Sequence, residues 1–279
     1  MNTDCPKLAN VNQLDQHART SGGKRMAKRP LRSRPSFWWG MFFAIVAVGA
    51  AASMVVISGV VPIFPKPTPT PTTKFTPYAG PKIDLTSRSI DDPKSYWLVV
   101  DKLRPLNPLK WVPEDLVSID VPKNYVAYLR QEAAAALVQM FISYKAENPK
   151  RGLKVQSTYR SYDMQASVFD GTLTLVAKPG YSEHQTGMAT DIGAISGKCP
   201  VQDCFAFEPE GKWLAANAYK FGFILRYPKG KEKVTGYQYE PWHYRYVGTE
   251  LSWYMHDAKI QTLEEAFNLP AAPKYADQK

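Results

Sequence analysis

Apolar positions along the chain fall into regimes of different pattern. From Phe37 to Phe64 they are continuous, FWWGMFFAIVAVGAAASMVVISGVVPIF, with no charged residue. A helix needs about 20 apolar residues to cross a bilayer core, so 37–64 predicts one transmembrane helix. Trp38 and Trp39 stand at its start, where an interfacial aromatic belt sits. A cleaved signal peptide is the alternative, but its apolar stretch spans only about 7–15 residues. Residues 65–83 are Pro/Thr-rich, opening PKPTPTPTTKFTP, which predicts an extended linker that cannot pack a core. Shorter apolar runs then continue from Asp84 to about Asn268, enough for one domain, with 269–279 left as a C-terminal tail.

Within that domain, residues 96–117 mix short apolar runs with prolines and read as an extended wrapping segment. Tyr125, Tyr128, Leu129, Ala133, Ala136, Leu137, Met140, Phe141 and Tyr144 recur at intervals of three and four, predicting a helix over 125–147 that Asn148-Pro149 stops. Leu153, Val155 and Ser157 alternate like a strand. A second helix is expected over 162–175 with Ser161 as its N-cap. Residues 188–193 read as a short buried strand, 211–220 as a third helix, 237–247 as an aromatic-rich strand and 251–267 as helical. Helices at both ends around short central strands predict an α+β fold: a small antiparallel sheet flanked by helices, preceded by one transmembrane helix.

Composition narrows the class. With 44% hydrophobic and 13% aromatic residues the chain is no disordered polymer, and three cysteines are too few for a disulfide-stapled scaffold. The net charge of +10 suggests nucleic acid until its location is traced. Residues 1–36 hold eight basic residues against Asp4 and Asp15, so +6 of the excess sits in this basic tail. Cationic residues stay on the cytoplasmic side of a membrane helix, which accounts for the charge without nucleic acid. The reading is therefore a single-pass cell-membrane protein with a cytoplasmic N-terminus and an extracytoplasmic domain. Outside the cell, Cys199 and Cys204 are expected to close a disulfide loop, with free thiols as the alternative; Cys5 stays reduced inside.

Candidate chemistry rests on few residues. His17 lies in the tail and His256 in a C-terminal helix, where no catalytic role is expected. His184 and Asp191, seven apart across a glycine-containing turn, can face one point if a loop feeds a strand. His243 could add a second nitrogen from a neighbouring strand. That is a ligand set for zinc with an open position for water, and Glu240 is placed to act as general base. Taken alone, two histidines and an aspartate more often serve as hydrogen-bonded structural residues. Glu183 beside His184 reads as solvated, Arg226 is given no role, and Trp242 with Tyr237, Tyr239, Tyr244 and Tyr246 reads mostly as core.

The surrounding residues add a resemblance. Ser157-Thr158-Tyr159-Arg160-Ser161, then Ser182-x-His184-x-x-Gly187-x-Ala189-x-Asp191, then Glu240-Pro241-Trp242-His243-Tyr244-Arg245-Tyr246-Val247-Gly248 follow one another as in the VanY-type D-alanyl-D-alanine carboxypeptidases. The segment from Leu106-x-Pro108 to Val112-Pro113-Glu114-Asp115-Leu116-Val117 also resembles that family, which belongs to the LAS group of zinc peptidases. The likeness covers roughly residues 96–268. It implies a LAS-type zinc peptidase domain with Zn2+ as cofactor, His184, Asp191 and His243 as ligands and Glu240 as catalytic base. It further implies that Arg160 stabilises the scissile carbonyl oxygen, and that Gln165 and Ser182, with Arg160, bind substrate. The implied partner is a peptidoglycan stem peptide ending in D-Ala-D-Ala, or its lipid-linked precursor, and the implied activity is removal of the terminal D-alanine. Three rivals stand beside it. A dipeptidase is disfavoured by an outward-facing domain, an endopeptidase of the same metal chemistry stays open, and a non-catalytic wall-binding module is disfavoured by an intact Glu240.

Overall fold

Period-two alternation builds the central sheet. On the strand His243–Tyr246, Tyr244 and Tyr246 enter the main core, so His243 and Arg245 face the opposite side. On Ala189–Ala194, Ile192 and Ala194 enter that same core and Asp191 faces away from it. The computed structural model describes residues 83–278, all within one structural unit. The expected tail 1–36 and transmembrane helix 37–64, and all of the expected linker 65–83 but its last residue, lie outside them. Among the described residues no helix is long and apolar enough to cross a membrane.

In chain order the elements are β1 (Leu116–Ser118), β2 (Tyr128–Arg130), α1 (Gln131–Glu147), β3 (Leu153–Ser157), α2 (Tyr162–Val168), β4 (Ala189–Ala194), α3 (Pro209–Asn217), β5 (Phe223–Leu225), α4 (Glu232–Thr235), β6 (His243–Tyr246), α5 (Thr249–Asp257) and α6 (Leu263–Ala266). Strands β3-β4-β6-β5 form an antiparallel sheet, and β1 pairs with β2 as a separate ribbon. Leu137, Met140 and Tyr144 of α1 pack on Leu153, Val155 and Ile192 to form the main core. A second core joins Trp97 and Val99 to Leu251, Met255 and Leu263. The fold is the expected α+β arrangement of helices on a small antiparallel sheet.

Several boundaries differ from the sequence reading, each for a local reason. The α1 helix begins at Gln131, because Tyr128–Arg130 pairs with β1 despite its helical spacing. Helix α2 has the expected Ser161 cap, whose hydroxyl accepts from the Met164 amide. It ends at Val168 rather than Leu175, ahead of Asp170 and a left-handed Gly171. The strand expected over 237–247 is only β6, since 237–242 forms a loop beside the site. The C-terminal helix is two helices: Lys259 adopts positive φ and Thr262 caps a new start. Strand β5 had no counterpart in the reading. The segment 269–279, read as a tail, supplies buried Ala272 and Tyr275, and the Ala272 amide donates to Val234 O at 2.7 Å.

Candidate metal centre

Register brings the first two ligand candidates together: Asp191 on β4 stands directly opposite His243 on β6. His184 arrives from the 3-10 turn Glu183–Thr186, which ends at Gly187 with φ 68. A side chain at Gly187 would collide with Leu116, whose Cδ2 stands 2.9 Å from the position of an added Cβ. The glycine thus permits both the left-handed turn and the close approach that carry His184 to the head of β4. The wrapping segment braces this turn, for Gln185 Nε2 donates to Leu109 O at 2.7 Å and Trp111 O at 3.1 Å.

His184 Nε2 lies 3.3 Å from Asp191 Oδ2, and His243 Nδ1 lies 3.2 Å from Asp191 Oδ1. Ligand atoms from all three residues lie within 4.8 Å of one another. Ligands about 2.0–2.1 Å from one ion at tetrahedral angles stand about 3.3 Å apart, so the spacing suits zinc. The hydrogen bonds agree. His184 Nδ1 lies 2.7 Å from Thr158 O, which can only accept, so the neutral ring keeps its lone pair on Nε2. His243 Nε2 lies 3.3 Å from Glu183 Oε2, leaving Nδ1 to face Asp191. Such outer carboxylate and carbonyl partners are the usual setting of metal-binding imidazoles. Asp191 Oδ1 and Glu240 Oε1 are buried and have no hydrogen-bond partner. Two orphaned carboxylate oxygens beside two imidazole lone pairs fit a cation.

Glu240 follows from its loop, where its amide donates to Tyr227 O and its Oε2 lies 3.6 Å from His243 Nδ1. Burial pushes its carboxyl up to about 8, opposed by His243 and reinforced by the charges of Asp191 and Glu183. Burial works against a charged His243, but the carboxylates on both sides of the ring win and raise it to about 10. Burial lowers His184, while Asp191 is held well below the usual carboxylate range because the imidazoles outweigh its burial.

Arg160, Gln165 and Ser182 line the same cavity of about 200 Å³ as His184, Asp191, Glu240 and His243. Arg160 Nη1 donates to Gln165 Oε1 at 2.8 Å and Nη2 to Ser157 Oγ at 3.0 Å; Gln165 Nε2 donates to Ala177 O at 2.8 Å. Trp242 and Tyr237 are buried and line the cavity too. Cys199 and Cys204 form a disulfide, and Val201 within that small loop reaches the cavity wall. His256 stands elsewhere, stacked on Tyr219 with ring centroids 3.6 Å apart.

Glu183 corrects the sequence reading. It is 1% exposed, not solvated, and Arg226 and Arg245 both donate to its Oε1. These guanidinium groups overcome its burial and hold its carboxyl far below the ordinary range. Arg226, Arg245 and Glu264 were missed as a group. Arg245 had a signal: on a strand it must share a face with His243 two residues earlier. Arg226 and Glu264 had none, because α6 and β5 meet only in three dimensions.

Two buried imidazoles and an aspartate converging in a cleft beside a buried glutamate are the ligand and base set of a zinc peptidase. The family model for VanY D-alanyl-D-alanine carboxypeptidase matches residues 126–249, and the chain belongs to that family. It is 42% identical over 193 residues to YodJ of Bacillus subtilis, covering 64% of this chain and 69% of that one. The solved LdcB LD-carboxypeptidase is 42% identical with a TM-score of 0.59, covering 63% of this chain and 87% of the other. The vancomycin-resistance D,D-pentapeptidase VanY, solved with Zn(II), is 29% identical with a TM-score of 0.50, covering 60% and 96%.

Proposed function

We propose that this chain is a membrane-anchored zinc carboxypeptidase that removes the terminal D-alanine from peptidoglycan stem peptides ending in D-Ala-D-Ala. The observation that carries the reading is the buried convergence of His184, Asp191 and His243, whose ligand atoms lie within 4.8 Å of one another beside a Glu240 oxygen without a hydrogen-bond partner. His184, Asp191 and His243 hold zinc. When bound, zinc polarises the scissile carbonyl and makes water acidic enough to attack near neutral pH. Glu240 accepts the proton of the attacking water and delivers it to the departing amine, so that one peptide bond and one water become a carboxylate and an amine. Arg160 donates to the carbonyl oxygen as negative charge develops there. Gln165 and Ser182, buried at the cavity wall, hold the terminal carboxylate with Arg160.

The N-terminal sequence supports the location. Residues 37–64 anchor the chain once, with 1–36 cytoplasmic, and 65–83 space the domain from the outer surface where stem peptides or their lipid-linked precursors lie. One observation favours a second reading. The likeness to the LdcB LD-carboxypeptidase, at the higher identity and TM-score of the two solved structures, supports cleavage after an L-configured residue of a shorter stem. The test is D-alanine release by the detergent-solubilised full chain from a stem pentapeptide and a tetrapeptide, before and after chelation and zinc return. Zinc-restored release from the pentapeptide is expected. Release from the tetrapeptide alone supports the L,D reading, internal cuts support an endopeptidase, and zinc binding without cleavage supports a wall-binding module.

A further inference from the structure

Behind the proposed metal ligands lie four fully buried charged side chains: Glu183, Arg226, Arg245 and Glu264. Burying charge is costly unless geometry satisfies each group, and here it does. Arg226 Nε and Arg245 Nη1 donate to Glu183 Oε1 at 2.8 and 2.7 Å. Arg226 Nη1 and Nη2 clasp the Glu264 carboxylate at 3.0 and 2.7 Å. Arg245 also donates from Nη2 to Leu98 O at 2.7 Å and from Nε to Tyr246 O at 3.0 Å. Both guanidinium contacts to Glu183 fall on one oxygen. The other, Oε2, is left to His243 Nε2 at 3.3 Å.

We infer that Glu183 is a positioning residue that acts through His243, an inference that rests on the proposed metal role of that imidazole. Glu183 Oε2 accepts the Nε2 hydrogen and so holds the tautomer whose Nδ1 lone pair faces Asp191 and the ion. The two arginines choose which oxygen does this. A guanidinium can only donate, so Oε1 is claimed and the carboxylate cannot rotate away from the ring without breaking two charged hydrogen bonds. Glu264 secures Arg226 from α6 and makes no hydrogen bond to either imidazole. Of the four side chains only Glu183 touches the ring, and Arg245 holds Oε1 whether or not Glu264 fixes Arg226.

Glu183→Gln tests this with almost no change of shape. The arginines still demand an oxygen, so the amide NH2 group turns toward His243 Nε2 and seeks a lone pair there. The imidazole hydrogen is driven to Nδ1, where it obstructs the ion. Zinc affinity of the full chain is measured by competition with a chromogenic chelator. Loss of an outer-shell partner typically weakens metal binding about 10–100-fold, and Glu183→Gln is expected to fall in that range. Glu264→Gln disturbs the same charge group without touching His243 and is expected to bind zinc as the wild type does. Equal affinity of Glu183→Gln and wild type overturns the inference, and so does equal weakening in the two variants. Should Glu183→Gln fail to fold, imidazole nitrogen NMR on the zinc-loaded wild type decides instead. Hydrogen on Nε2 and metal on Nδ1 of His243 is expected; the reverse overturns the assignment. A wild type that binds no zinc defeats the metal reading itself, and this inference with it.

Discussion

Two residues apart on β6, His243 and Arg245 face the same side of the sheet but belong to regions with opposite bonding. Every charged group around Arg245 is paired: two arginines, two glutamates and backbone carbonyls answer one another. Around His243 the account is left open, with Asp191 Oδ1 and Glu240 Oε1 buried and without a hydrogen-bond partner. Both regions are buried, so burial alone does not separate them. What separates them is unmet bonding capacity, and unmet capacity is what a reaction can use. On the proposed reading, the closed group braces the site and the open group takes the ion and substrate.

The sharpest test of that division pairs one change in each region. Glu240→Gln is expected to lower turnover about 10²–10⁴-fold, the usual contribution of a positioned acid–base group, while zinc content and melting temperature hold. Glu264→Ala is expected to do the reverse. Removing one partner of a buried ion pair costs about 3–5 kcal/mol of stability, read by denaturant unfolding, with turnover per folded molecule near wild type. If both variants lose activity and stability together, the two regions are one unit and the comparison fails.

A pH series on metal-free protein sharpens the same point. Glu240 is raised to about 8 by burial, so the folded state binds its proton more tightly than the unfolded state does. This group's contribution is fully favourable below its ordinary pKa and is lost as pH rises from there through about 8. His243, raised to about 10, adds stability below its unfolded pKa and loses it as pH rises through the folded value. Melting temperature of the metal-free wild type should therefore fall between pH 5 and pH 8. Glu240→Gln should flatten part of that slope, and an unchanged slope would show that Glu240 does not titrate there.

Much of the open region was legible in the sequence, and little of the closed one. His184 and Asp191 sit in one short motif and Glu240 and His243 in another, and they can converge if a turn feeds a strand beside another strand. The structure meets that condition with Gly187 and the Asp191–His243 register. Helix and strand periodicity placed α1 and β3, since both carry unambiguous apolar stripes. It failed where an apolar spacing served two periods at once, as at Tyr128–Arg130, and where a three-residue strand such as β5 gives too little pattern to detect. The closed group was invisible for a different reason. A charged residue reads as solvated by default, and only long-range packing of β5, β6 and α6 supplies the partners that let Glu183 be buried.

Arg160 stands at the border of the two regions, since it is bonded to Gln165 and Ser157 yet lines the cavity. If it serves the developing oxyanion, Arg160→Ala should cost about 10²–10³ in kcat, with a smaller change in KM. A loss confined to KM would move Arg160 to carboxylate binding alone, beside Gln165.

The smallest effect is expected at the cavity rim, where the Cys199–Cys204 loop carries Val201 to the wall. Both Cys199 and Val201 have positive φ, a conformation that a β-branched residue such as Val201 adopts only under constraint. The disulfide closes this loop at both ends. Replacing both cysteines with serine releases a loop of few residues, and closing such a loop is worth about 2 kcal/mol on loop-entropy grounds. The double variant should unfold at lower denaturant by that amount. The proposed zinc ligands lie on β4, β6 and a separate turn, so zinc affinity should not change, whereas KM for the stem peptide should rise as Val201 leaves the wall. A variant with lowered zinc affinity would mean that the rim and the metal centre are mechanically coupled, and that the open region extends further than its unpaired atoms indicate.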